Sequence, residues 1–477
     1  MQTKITANAT AMKRWLSKAE ESLGNHSDRL NAINIFPVAD GDTGTNLYLT
    51  VRAASQAANA AETTDLGELL RIAGQAAMED ARGNSGTLFA VFLATVTKLN
   101  SGQSHVDDIS DEDVVGMIAG GYRASSDVSI IGDASCIVIC VPTPLASGGA
   151  PDLGAVIAAT QAIAENMKTG ALVILESTTY PGTTEDVVRP ILESGGQKLD
   201  KDFFLAFSPE RIDPGNKLFG LRNTPKVIGG ISSESTRLAC QFYLRFVDEV
   251  VPVKGAREAE TAKLLENTYR HINIALVNEM SKFCHELKID LWDVIGAAKT
   301  KPYGFQAFYP GPGVGGHCIP IDPNYLSYEV RKTLNYPFRF VELAEEINNS
   351  MPRYVVQRVQ ELLNREKKSV NGSKVLLFGV TYKPNIADQR ESPASEIADL
   401  FDGMGAEVSY HDPYVAAWRS PKVARDRVTD LDTAVSTADI VVLLQDHEEY
   451  DLKQLPGRCR LMFDTRGKVP VGTAHRF

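Results

Sequence analysis

From about residue 122 to the C-terminus, short strand-like runs, several of them rich in β-branched residues, alternate with helical patterns. The runs are CIVICV (136–141), ALVILES (171–177) and KVIGGI (226–231), then VLLFGV (375–380), EVSYHD (407–412), IVVLLQ (440–445) and RLMFD (460–464). Such alternation is the pattern of α/β domains built on parallel sheets. The two groups of runs are separated by a helical segment over 257–287 with no internal Gly or Pro, and by a Gly/Pro-rich loop over 302–324.

Residues 1–100 have a different character, with 18 alanines and no cysteine. Trp15, Leu16, Ala19 and Leu23 follow helical spacing, as do Leu69, Leu70, Ala73, Ala77 and Ala81. Two glycine-containing loops interrupt these helices, at 36–44 and 81–86. Residues 101–113, SGQSHVDDISDED, are polar and acidic and read as a linker. At roughly 150 residues per domain, 477 residues suggest about three domains.

Composition narrows the function. Lys and Arg number 49 against 60 Asp and Glu, a net charge of -11, which argues against non-specific nucleic-acid binding. No apolar run approaches the roughly 20 residues that span a bilayer, and the N-terminus has no apolar leader core, so no membrane partner and a soluble, cytoplasmic protein are expected. The six cysteines form no CxxC pair and no cluster with zinc spacing.

The densest chemical signal is YPGPGVGGHCIPIDP, residues 309–323. Its glycines let backbone approach a ligand closely, and they present one thiol, Cys318, with a carboxylate, Asp322, four residues on. A thiol in such a loop suits covalent catalysis on a carbonyl; a small buried cysteine in a tight turn fits the residues equally well. In AETAKLLENTYR (259–270), Lys263 and Asn267 lie four apart and share a helix face. Together they can donate to a developing oxyanion, although a solvated face is the commoner use of such a pair. The loops VPTPL (141–145) and ESTTYPGTT (176–184) follow strand-like runs, where α/β sheets bind ligands, and both are also ordinary turn chemistry. In FSPERIDPG (207–215), Glu210 is a candidate base or an ion-pair partner of Arg211.

Together with TKPYGF (300–305) and GVTYKPNIADQRESPA (379–394), these motifs resemble the UDP-glucose/GDP-mannose dehydrogenase family over about 121–477, in the branch that oxidises UDP-N-acetylhexosamines. The resemblance implies NAD-dependent, four-electron oxidation of a sugar C6 hydroxyl to a carboxylate on UDP-N-acetylglucosamine or UDP-N-acetylmannosamine, for surface-polysaccharide precursors. It implies that Cys318 is the nucleophile forming a thiohemiacetal and then a thioester. Lys263 and Asn267 stabilise oxyanions, Asp322 manages water and protons, Glu210 assists the thioester stage and Thr179 orients water. Pro142, Thr143, Thr179 and Arg390 are the implied NAD contacts. Phe207, Glu210, Arg211, Tyr303, Phe305, Tyr309, Gly311, Gly315 and Lys383 are the implied UDP-sugar contacts. The 257–287 helix is the implied core of a homodimer or higher oligomer.

The fold expected is α/β, with an incomplete Rossmann-like NAD domain (121–250), a central helical domain bearing the cysteine loop (251–350) and a C-terminal Rossmann-like UDP-binding domain (351–477). The family's opening strand–GxGxxG–helix–strand unit has no counterpart: the one comparable cluster, Gly311 to Gly316, lies in the cysteine loop and opens no βαβ unit. Loss of that unit is expected to impair NAD binding.

Residues 30–50, LNAINIFPVADGDTGTNLYLT, and ARGNSG (81–86) resemble the ATP-binding domain of dihydroxyacetone kinases and the related fatty-acid kinase subunit. That resemblance implies Mg²⁺ at Asp40 and Asp42, a further polar contact from Asn34, and ATP phosphates on the loop of Asn84, Ser85 and Gly86; a helix cap or turn is the alternative for Asp40 and Asp42. An all-α kinase-like fragment over 1–100 joined through a junction at 101–120 is therefore expected. The alternatives to a dehydrogenase are a Mg-ATP-binding kinase-like module and a non-catalytic UDP-sugar-binding protein.

Overall fold

A computed structural model describes residues 9–33, 43–79, 102–104, 109–125, 127–146, 149–213, 216, 218–316, 319–419 and 424–477. Asn34, Asp40, Asp42, Asn84, Ser85, Gly86 and Cys318 lie outside the described residues. The chain divides into two units, 1–128 and 129–477.

In the first unit, α1 (Ala9–Ile33), α2 (Thr43–Ala60) and α3 (Leu66–Glu79) pack through Leu16, Ala54, Ala58, Leu69, Leu70, Ala73 and Ala77. Most of these contacts are alanine, so the helices approach closely. Trp15 points out and Leu16 in, which sets the phase of α1. The linker reading of 101–113 is corrected at its end: α4 spans Asp111–Ala119. Ser110 accepts from the Asp113 amide while the Asp113 carboxylate takes the Ser110 amide, a reciprocal cap that the spacing of Ser110 and Asp113 already contains.

The second unit holds two five-stranded sheets. The first comprises β1 (Cys136–Ile139), β2 (Ala171–Leu175), β3 (Phe203–Phe207), β4 (Lys226–Gly230) and β5 (Val250–Pro252), in that spatial order. The chain between its strands includes α5 (Gly154–Asn166), α6 (Arg189–Glu193) and α7 (Ser233–Tyr243). One pairing in this sheet departs from the parallel pattern: β3 and β4 pair antiparallel. Among the described residues of 208–225, which join them, there is no helix, and a parallel return needs a crossover.

The long helical run forms α8 (Ala256–Glu286). It is followed by α9 (Leu291–Ala298), α10 (Asp322–Leu334) and α11 (Arg339–Arg365). The second sheet has the order β12-β11-β10-β6-β7, all parallel. Its strands are β6 (Lys374–Phe378), β7 (Glu407–His411), β10 (Ile440–Leu443), β11 (Met462–Asp464) and β12 (His475–Arg476). α12 (Pro393–Gly403) lies on it, a short hairpin of β8 (Ala417–Arg419) and β9 (Ala424–Asp426) follows β7, and α13 (Leu431–Thr437) precedes β10. Val375, Leu377, Val442 and Phe463 enter one core with α11 and α12, while Leu376, Phe378, Val441 and Leu443 enter another with Val435 and Leu455. Both faces of these strands are thus buried, as their unbroken apolar runs require.

Candidate active site

The site assembles where α8, α10, the glycine loop and the ends of both sheets meet. On α8, Lys263 is buried and Asn267 half-buried. The Asn267 amide donates to Asp322 Oδ2 at 2.5 Å. Asp322 opens α10, where the positive end of the helix favours a carboxylate. Burial nevertheless raises its pKa to about 7; the Lys263 charge and the Asn267 bond oppose that rise and the Glu210 charge adds to it. A lysine, an amide and a carboxyl poised near neutrality thus share one dry corner, an arrangement suited to moving a proton beside a developing oxyanion.

A cavity of about 400 Å³ extends from Lys263 and Asn267 to the second sheet. Arg211, Lys263, Arg270, Lys383 and Arg466 line it, against two carboxylates, Asp213 and Glu266. Both carboxylates are paired, Asp213 with Lys383 at 2.6 Å and Glu266 with Arg211 at 2.6 Å. Five cations against two anions leave an excess of three positive charges, which suits an anionic ligand such as a diphosphate. Tyr309, also on the wall, stacks on Trp292 with centroids 5.7 Å apart.

Gly311, Gly313, Gly315 and Gly316 line the same cavity. Their smallness is a packing requirement: a Cβ on Gly315 would meet the Glu391 carbonyl at 2.5 Å, and one on Gly316, at φ +85°, would meet the Tyr382 ring at 2.6 Å. The Gly311 amide donates to Asn278 Oδ1, whose own amide donates to Asn348, so the loop is fixed to α8 and α11. Ile319, just after the cysteine position, also lines the cavity.

On the first sheet, the two strand-end loops are tied together. Ser177 Oγ accepts from the Val141 amide at 2.8 Å and donates to the Val141 carbonyl at 2.7 Å. Tyr325 on α10 donates to the Thr143 carbonyl at 2.6 Å, which anchors the Pro142–Thr143 turn beside Asp322. Thr179 is buried, and its hydroxyl has no protein partner among the described residues. A buried orphan hydroxyl is an open place for a water or a ligand atom.

For a dinucleotide, these residues fit one end. Thr143 and Thr179 suit the nicotinamide side, beyond the carboxyl ends of β1 and β2. No described residue opens a βαβ unit with GxGxxG, and Gly311–Gly316 sit between α9 and α10, so the cradle for the pyrophosphate is not among them.

Several expected contacts are not brought to the cavity. Phe207 is buried in the core of the first sheet. Tyr303 and Phe305 are exposed, since the loop after α9 turns outward. Arg390 lies outside the lining and pairs with Asp388, while its carbonyl receives the Gly316 amide. Glu210 accepts from the Ile212 amide, and the ion pair of Arg211 goes to Glu266 rather than to Glu210. The sequence reading passed over Asp213, Glu266, Arg270, Tyr382 and Arg466. Glu266 and Arg270 were accessible to it, because 263, 266, 267 and 270 lie on one helix face. Arg466 follows β11, is half-buried, and donates from Nε to the Leu444 carbonyl. Among the described residues, no group of His, Cys, Asp and Glu forms a metal site.

Family models match in the order of the chain: the NAD binding domain of the UDP-glucose/GDP-mannose dehydrogenase family over 89–247, its central domain over 257–350 and its UDP binding domain over 376–470. The chain belongs to the UDP-glucose/GDP-mannose dehydrogenase family. The first match reaches back across the acidic 101–113 segment and α4. A UDP-N-acetyl-D-mannosamine dehydrogenase of Methanocaldococcus jannaschii is 37% identical over 344 residues, 70% of this chain and 75% of that one. Another, of Salmonella typhi, is 34% identical over 390 residues, 78% of this chain and 90% of that one. A solved UDP-D-ManNAc dehydrogenase from Pyrococcus horikoshii superposes with a TM-score of 0.72 at 32% identity, covering 80% of this chain and 90% of its own. The cavity therefore lies where the family's central and UDP-binding domains meet.

Proposed function

We propose that this chain oxidises the C6 hydroxyl of a UDP-N-acetylhexosamine, with UDP-N-acetylmannosamine the first candidate, to the uronic acid. The observation that supports it most is the cationic cavity running from Lys383 and Arg466 to the Lys263–Asn267–Asp322 corner. The diphosphate lies against the arginines and Lys383, and the sugar reaches toward α8. NAD, with Thr143 and Thr179 on its nicotinamide side, would supply the hydride acceptor, two molecules in turn taking one hydride each over the four-electron oxidation. Asp322, with its pKa near 7, takes up the proton of the hydroxyl. Lys263 and Asn267 donate to the oxyanion formed at the same carbon. Cys318, placed in the sequence between two residues that line the cavity, Gly316 and Ile319, adds its sulfur to the aldehyde; oxidation of that thiohemiacetal leaves a thioester, which water cleaves to free the thiol and the carboxylate. The buried hydroxyl of Thr179 orients that water, and Glu210 assists its proton transfer.

NADH formation by the full chain, with NAD and a panel of UDP-hexoses and UDP-N-acetylhexosamines, tests the reading. Turnover fastest on an N-acetylated sugar supports it; a folded protein that binds these sugars and reduces no NAD overturns it in favour of a non-catalytic binder. Leu265, Tyr269, Leu276, Phe283 and Leu287 form an exposed apolar stripe along α8 and its end, which supports a homodimer through that helix. In residues 1–100 the DGDTGTN run supports, on sequence alone, a Mg-ATP site at Asp40 and Asp42. Magnesium-dependent ATP binding lost in Asp42→Asn is the expected sign of it, and no ATP binding removes it.

A further inference from the structure

We propose that His447 is a positioning residue for nucleotide binding: with Asp412 it sets the 380–385 turn and thereby the direction of Lys383. This rests on the reading of the cavity as the UDP-sugar site, and adds to it a device that never touches the ligand.

Three neighbouring strands of the second sheet deliver the parts. Asp412 follows β7, the turn follows β6 and His447 lies just beyond β10, all at the carboxyl ends of parallel strands. Asp412 and His447 are completely buried, 2.9 Å apart from Oδ2 to Nε2. The Asn385 amide donates to His447 Nδ1 at 3.0 Å. A nitrogen that accepts carries no proton, so the ring proton sits on Nε2 and goes to Asp412. Asp412 Oδ2 also accepts the Val380 amide at 2.8 Å, and its Oδ1 accepts the Tyr414 amide at 2.9 Å. The dyad thus holds the turn at both ends, at residue 380 through Asp412 and at residue 385 through His447.

Inside the turn, the Thr381 hydroxyl donates to the Lys383 carbonyl at 2.8 Å and lies 3.3 Å from His447 Nε2. Asn385 has φ +64°, a left-handed conformation, and its side chain accepts the Glu448 amide at 2.8 Å. The turn is therefore bound to the segment carrying His447 from both sides of Asn385. What it presents to the cavity is Tyr382 and Lys383. A turn free to relax would lose the aim of Lys383 while leaving the lysine in the chain. Tyr414 and Tyr450 pack on the His447 ring, at 5.1 and 5.5 Å between centroids, and keep water from replacing its bonds.

The test is a calorimetric titration of UDP into the full chain, alongside KM and kcat for the UDP-sugar. His447→Leu removes both ring bonds and His447→Gln keeps one donor and one acceptor. The expected result is UDP affinity about tenfold weaker in His447→Leu, the scale of a lost bond to a charged group, with partial recovery in His447→Gln. KM rises while kcat holds. The decisive arm is the pair with Lys383→Ala: the double variant binds no more weakly than Lys383→Ala alone, because His447 acts through that lysine. Wild-type affinity in His447→Leu, or losses that add in the double variant, overturn the proposal. Should His447→Leu not fold, Thr381→Val removes the bond inside the turn without disturbing the dyad, and the same coupling with Lys383→Ala decides. A chain that reduces no NAD still reports UDP binding, so failure of the dehydrogenase reading is separable from failure of this one.

Discussion

The two sheets of the second unit are the same size and end differently. In the second sheet the chain enters at β6, steps to β7 on one side and then crosses to β10 on the other. That reversal of direction opens a crevice at the carboxyl ends of the strands, where α/β sheets bind ligands, and Lys383 and Arg466 lie on the cavity there. In the first sheet the order runs β1 to β5 without a reversal, and β1 is an edge among the described residues. Burial follows the topology: all four residues of β10 are buried, whereas of β1 only Ile139 is. The nucleotide-sugar end of the site is thus enclosed by described residues, and the dinucleotide end is represented by two strand-end loops. An α/β sheet makes a binding site at the place where its strand order turns back, so the two ends should respond differently to substitution.

The largest expected effect is at the covalent step. Cys318→Ala reduces uronate formation to background while UDP titration is unchanged, measured by mass spectrometry of products and by calorimetry; equal losses in both would tie the cysteine to binding instead. At the nucleotide end, Lys383→Ala or Arg466→Ala weakens UDP binding by roughly 10- to 100-fold, the range of about 1.5–3 kcal/mol for hydrogen bonds to charged groups, with no effect on any binding of NAD. An equal effect on NAD would erase the distinction between the two ends.

The next effect is on pH dependence. Burial raises Asp322 to about 7 in the folded chain, above its ordinary carboxylate value of 3.8. Folding therefore favours the protonated form: its contribution is fully present below 3.8 and is lost as pH rises through 7. Asp322→Asn removes that loss, so in urea unfolding its advantage over the parent should grow from pH 4 to 7 and then level off. Glu260 on α8 is raised to about 7 as well, and holds the amides of Gly182 and Thr184, so Glu260→Gln separates the two carboxyls. A gap independent of pH would show Asp322 to be ionised throughout. The smallest effect belongs to the first sheet: Tyr325→Phe removes the bond to the Thr143 carbonyl, costs about 1 kcal/mol in urea unfolding and leaves UDP binding as it was.

Much of this was legible in the sequence for identifiable reasons. Short strand-like runs marked β1, β2, β4, β6, β7, β10 and β11; in β2 and β10, buried at every residue, the apolar run is unbroken because both faces are covered. Spacing placed Lys263 and Asn267 on one face of α8; the glycines around residue 313 read as room for a ligand, whereas at Gly315 and Gly316 a Cβ would meet the protein's own Glu391 carbonyl and Tyr382 ring. β3 was passed over because its run, FFLAF, merges into the SPERIDPG motif. Tyr303, Phe305 and Arg390 sit within recognisable motifs, but motif membership does not say which way a side chain points. Arg466 and the His447–Asp412 pair depend on strands that are neighbours in space and far apart in sequence, and no local pattern reports that. Cys318, Asp40 and Asp42 lie outside the described residues, so their assignments rest on sequence.

The most direct measurement is the ratio of NADH to uronate when the full chain is incubated with NAD and UDP-N-acetylmannosamine. The account predicts two NADH per uronate, with no free aldehyde, and no uronate from Cys318→Ala. One NADH per sugar with aldehyde released, or uronate formation that survives Cys318→Ala, would contradict it.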